Sequence, residues 1–92
     1  MQILKYASSF STEALAEEAI AAALHANEAG IRAWLSSGSK RLYTVEANLD
    51  KQIGIKLMRG AKSSAPCYAV RAVLSPKPLA PLGYFVLTGY PI

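Results

Sequence analysis

Cysteine and histidine each occur only once, as Cys67 and His25. One cysteine excludes an intrachain disulfide, and one residue of each type offers no ligand set for zinc. No metal or other cofactor is expected. Apolar runs are short. None approaches the roughly 20 residues of a membrane span, and Met1-Gln2-Ile3-Leu4-Lys5 lacks the long apolar core of a signal peptide. A cytoplasmic protein with no membrane partner is the expectation. Charged residues are sparse as well, at 17% against 52% apolar, which argues against disorder. A chain of 92 residues then makes one domain, 1–92, near the small end of what closes around a core.

The charges that are present sit unevenly. Residues 1–39 set Lys5 and Arg32 against Glu13, Glu17, Glu18 and Glu28, a net −2. Residues 40–92 set Lys40, Arg41, Lys51, Lys56, Arg59, Lys62, Arg71 and Lys77 against Glu46 and Asp50, a net +6. A basic half suits a polyanion, and it equally suits a solvated surface.

The same boundary separates two hydrophobic periods. From Thr12 to Ser36 the chain is rich in Ala, Leu and Glu, all good helix formers. Ser11 or Thr12 serves as N-cap, and early glutamates favour the helix dipole. Ile20, Leu24, Ile31, Trp34 and Leu35 share a broad face, while Leu15, Ala19, Ala22 and Ala26 form a smaller one that admits a close neighbour. Gly30 weakens the helix by about 1 kcal/mol, so a break or kink is expected at Asn27–Gly30. Ser36-Ser37-Gly38-Ser39 ends it.

Beyond Lys40 the period becomes two. Strands are expected near 41–48, 52–58, 67–74 and 83–90, with a short first strand within 2–7. Arg59 to Pro66 reads as a basic loop, and the three prolines of Ser75–Pro81 as a stiff connection. The fold class is α+β: an N-terminal helix, kinked or straight, on a four- to five-stranded twisted antiparallel sheet. In the last strand, Tyr84, Val86, Thr88 and Tyr90 alternate with Phe85 and Leu87. Burying Phe85 and Leu87 against the helix turns the Thr88 and Tyr90 hydroxyls to the opposite face. The expected core is Ile20, Leu24, Ile31, Trp34, Val73, Phe85 and Leu87.

Gly83-Tyr84-Phe85 followed by Leu87-Thr88-Gly89-Tyr90-Pro91 resembles the closing motif of the bacterial RNase A-like toxin domain. That domain is the C-terminal payload of contact-dependent growth-inhibition and other polymorphic toxins. The resemblance continues upstream through Ser8-Ser9-Phe10, Ala14, Ala16-Glu17, Ala19-Ile20, Asn27, Ile31 and Trp34-Leu35, and through Val70-Arg71-Ala72-Val73-Leu74. It implies a twisted antiparallel sheet with helices on its N-terminal side. It also implies metal-independent RNA cleavage by 2′-hydroxyl attack, with Thr88 and Tyr90 in the active site. The family's catalytic histidine belongs N-terminal to the Ser-Ser-Phe region. This chain starts a few residues before Ser8, so that histidine is not expected among its residues.

Several functions follow as expectations. One is a domain that binds RNA or a nucleic-acid-handling protein rather than cleaving, such as a phage or mobile-element inhibitor of the anti-CRISPR kind. A second is an active ribonuclease toxin that cleaves RNA such as tRNA. A third is a passive interaction module. Thr88 and Tyr90 are the catalytic candidates. His25 joins them only if its helix delivers it to their face. Arg71, Lys56, Arg59 and Lys62 are the candidate contacts to RNA or a partner, with a cognate immunity or target protein as a further partner.

Overall fold

The computed structural model describes residues 6–58 and 63–92. Eight elements follow in order: β1 (Tyr6–Phe10), α1 (Glu13–Ala26), α2 (Glu28–Ser36), β2 (Tyr43–Asn48), β3 (Gly54–Met58), β4 (Ala65–Cys67), β5 (Ala69–Pro76) and β6 (Tyr84–Pro91). The fold is α+β, and its strands form two antiparallel three-stranded sheets, β1-β3-β4 and β2-β5-β6. The stretch expected as one strand at 67–74 is divided: Ala65–Cys67 pairs with β3, while Ala69–Pro76 is the centre of the other sheet. Residues 2–5 of the expected first strand, and Arg59 and Lys62 of the basic loop, lie outside the described residues.

Thr12 caps α1, its hydroxyl accepting from the Leu15 N–H at 3.0 Å. The helix breaks at Asn27, which is at once the C-cap of α1 and the N-cap of α2. Its side-chain amide donates to the carbonyls of Ala23, at 2.8 Å, and Glu46, at 2.9 Å. The break thus satisfies a helix-end acceptor and ties the helices to β2.

Alanine lets α1 come close to the sheet. Ala19 and Ala23 are fully buried and pack with Val45, Val70, Ala72 and Leu74. Gly89 carries this approach to β6, because a Cβ there would stand 2.9 Å from Ile20 Cδ1. Trp34 and Ile31 of α2 are buried, as expected. The Trp34 ring stacks on Tyr43, with centroids 5.3 Å apart, and its Nε1–H donates to the Arg41 carbonyl. Ile20 and Leu24 are only half-buried, packed against this core.

Three core expectations are corrected. Phe85 is 42% exposed and Leu87 52% exposed, and Val73 lies on the sheet face away from α1. Tyr84 and Val86 pack against the core instead. Val73 follows the regular alternation of β5, whose Val70, Ala72 and Leu74 are the buried residues; in β6 the cause is a β-bulge. Val73 pairs with Thr88, but the next β5 residue, Leu74, pairs with Val86, so Leu87 is an extra residue in β6. An extra residue reverses the alternation. Before it, Tyr84 and Val86 face the helix; after it, Gly89 and Pro91 do. Phe85, Thr88 and Tyr90 all emerge on the outer face.

The connection from β5 to β6 is an ordered turn. Lys77 N–H donates to the Gly83 carbonyl at 2.9 Å, and Gly83 N–H to the Ala80 carbonyl at 3.0 Å. Gly83 has a φ of 82°, a conformation glycine adopts without steric penalty. Pro76 takes the last paired position of β5, opposite Tyr84, where a missing N–H is tolerated.

Candidate functional site

The outer face of β2-β5-β6 is a grid set by strand register. One row reads Glu46, Arg71, Tyr90 and the next Thr44, Val73, Thr88; beyond them Ser75 faces Phe85. Directly opposed residues on neighbouring strands point the same way, so these rows are side-chain neighbours.

Arg71 is at the centre. Its Nε donates to Glu46 Oε2 at 2.5 Å, and its guanidinium carbon lies 5.9 Å from the centroid of the Tyr90 ring. The Tyr90 hydroxyl and then the Glu46 carboxylate raise the guanidinium above its ordinary value, so it is a permanent cation. A guanidinium carries five N–H donors, so beyond Glu46 and the Tyr90 hydroxyl it has donors for a further acceptor. Thr88 is exposed one row away, so two hydroxyls and a guanidinium occupy one patch of solvent-facing sheet. Donors gathered on one face in this way suit the non-bridging oxygens of a phosphodiester.

His25 and Lys56 are elsewhere. His25 is exposed in the last turn of α1, and α1 packs on the inner face of the sheet, so the sheet separates it from Thr88 and Tyr90. Lys56 sits on β3 in the other sheet, opposite Ser8 and Ala65. There it acts electrostatically on the buried Cys67 thiol, whose pKa burial nonetheless pushes up. A groove of about 500 Å³ lined by Leu35, Ser39, Lys40, Ser75, Pro76 and Pro78 lies at the end of α2 and includes neither Thr88 nor Tyr90. Glu46 was readable only as an alternating strand residue, since its partnership with Arg71 depends on which strands pair.

An α+β domain whose last strand carries a Thr-x-Tyr pair beside a strand-borne arginine is the class that this geometry defines. The family described as "Bacterial CdiA-CT RNAse A domain" matches residues 2–91, and the chain belongs to that family. A solved structure described as the CdiA-CT/CdiI complex from Y. kristensenii 33638 is similar over 100% of this chain and 81% of that chain, with 30% identity and a TM-score of 0.93. No curated protein matches the chain.

Proposed function

We propose that this RNase A-like toxin domain engages RNA through the outer face of β2-β5-β6, with Thr88, Tyr90 and Arg71 holding the phosphodiester. The observation that carries the reading is the exit of both hydroxyls onto the face that bears Arg71, in a chain of a ribonuclease family. Its place of action on this reading is the cytoplasm, where RNA is available. A CdiI-type protein is its proposed partner, because its structural neighbour was solved in such a complex. The family match favours a growth-inhibition toxin over a phage or mobile-element inhibitor such as an anti-CRISPR factor.

The described residues of this face are better suited to holding the phosphodiester than to breaking it. Transphosphorylation needs a base for the 2′-hydroxyl proton and an acid for the leaving oxygen. Histidine is the side chain that ordinarily serves both near neutral pH. Among the described residues none stands on this face, and His25 is across the sheet. Binding with weak cleavage is therefore the reading for this chain. The second reading is an active metal-independent ribonuclease.

Cleavage of mixed RNA by the purified chain in chelator-containing buffer separates them. Weak or no cleavage is expected, with binding of 2′-O-methyl RNA that is lost in Thr88→Val/Tyr90→Phe. Strong cleavage abolished by His25→Ala would overturn the binding reading. RNA affinity indifferent to both hydroxyls would overturn the assignment of the face.

A further inference from the structure

Phe85 is an aromatic side chain that the core does not use. It is 42% exposed, although the strand around it supplies Tyr84 and Val86 to the core. The bulge at Leu87 turns it to the face of Thr88 and Tyr90, where a regular strand would place residues 85 and 88 on opposite sides. Its register partner Ser75 is two residues from Val73, the partner of Thr88. That is about 6–7 Å along β5. The Lys77 ammonium lies over the Phe85 ring, 5.7 Å from its centroid, so a cation already sits on one face of it.

We propose that Phe85 is a nucleobase-stacking platform, flanked by Lys77, that receives an unpaired RNA base next to the phosphate held at Thr88 and Tyr90. The proposal rests on the phosphate-contact reading and extends it to base recognition. Unstacked bases are captured on aromatic faces in single-stranded RNA, and every base has a face to offer. Lys77 covers one face of the ring, so an incoming base stacks on the other face or displaces the exposed lysine side chain. Lys77 supplies attraction for a neighbouring phosphate. The subsite would select single-stranded over duplex RNA, because a paired base cannot reach the ring.

The test measures affinity by fluorescence anisotropy, using a short single-stranded 2′-O-methyl RNA and the same oligonucleotide with abasic sites. Phe85→Ala is expected to weaken binding of the base-containing RNA about tenfold or more. Phe85→Tyr retains a ring and is expected to stay near wild type, while Phe85→Leu, apolar without a ring, follows Phe85→Ala. On the abasic oligonucleotide the variants and wild type should converge. Thermal melting controls for the fold, which an exposed ring should not disturb. Phe85→Ala binding like wild type while Thr88→Val/Tyr90→Phe weakens would overturn the platform and leave the phosphate face standing. Equal losses on base-containing and abasic RNA would also overturn it, as would lost capture of a CdiI-type protein with RNA affinity unchanged. Absence of RNA binding by the wild type would overturn both readings.

Discussion

Arg71 on β5 and Glu46 on β2 are joined Nε to Oε2 at 2.5 Å across the outer face of the sheet, with side chains 36% and 49% exposed. Pairs this exposed contribute about 0.2–1 kcal/mol to stability. Neither Arg71→Gln nor Glu46→Gln should therefore lower stability by more than about 1 kcal/mol in denaturant titration. Their effects on RNA should have opposite signs. Arg71→Gln removes a cation from the phosphate-contact row and should weaken binding, lowering the salt slope by about one. Glu46→Gln removes an anion from the same row and should tighten binding at low salt.

The β6 bulge predicts an asymmetry between neighbours. Tyr84 packs against the core and tilts onto Trp34 with centroids 6.3 Å apart, whereas Phe85 faces solvent. Tyr84→Ala should cost about 3 kcal/mol or more by urea unfolding. Phe85→Ala should cost about 1 kcal/mol or less. The reverse order would mean the bulge is absent in solution.

Gly89 should not tolerate a side chain. A Cβ there would meet Ile20 at 2.9 Å and 3.1 Å, on the surface where α1 lies against the sheet. Gly89→Ala should destabilise by about 1–3 kcal/mol, the usual range for overpacking. Shortening the opposing residue in Gly89→Ala/Ile20→Val should recover part of the loss. Additive losses would count against the contact.

Asn27 donates from one side chain to two carbonyls, on α1 and on β2. Asn27→Ala removes both bonds, but the Ala23 carbonyl keeps the Asn27 backbone N–H and the Glu46 bond is exposed, so the cost should be about 0.5–1.5 kcal/mol. Asn27→Asp should not restore them, since a carboxylate has no N–H to give. Thermal melting of the two variants checks the prediction.

Cys67 is 1% exposed, and burial raises its thiol pKa. A raised folded value means that the native state keeps its proton where the unfolded state has lost it. This contribution to stability is present in full below the unfolded thiol's pKa and is lost as pH rises through the folded value. Stability should fall with alkaline pH more steeply in wild type than in Cys67→Ala. Alkylation at neutral pH should be slow until the chain is unfolded.

Local chemistry made much of the fold readable along the chain. Ala, Leu and Glu at helical spacing marked the helices, Asn27 and Gly30 marked the break, and the two-residue period marked the strands beyond Lys40. The Thr-x-Tyr spacing, with the residues around it, was enough to indicate the family. These signals depend on residues close in sequence. Tertiary structure decided the division into two sheets, the pairing of Arg71 with Glu46 and Tyr90, and the side of the sheet on which His25 lies. It also decided the orientation of β6. Strict alternation places Tyr84, Val86, Thr88 and Tyr90 on one face, but the core takes Tyr84 and Val86 below the bulge, and above it Gly89 lies against Ile20 and Pro91 is buried against β3. Only a bulge satisfies both ends, and its position is set by the register with β5, to which a single strand's own sequence does not refer. That one inserted residue puts Phe85, Thr88 and Tyr90 together on the open face.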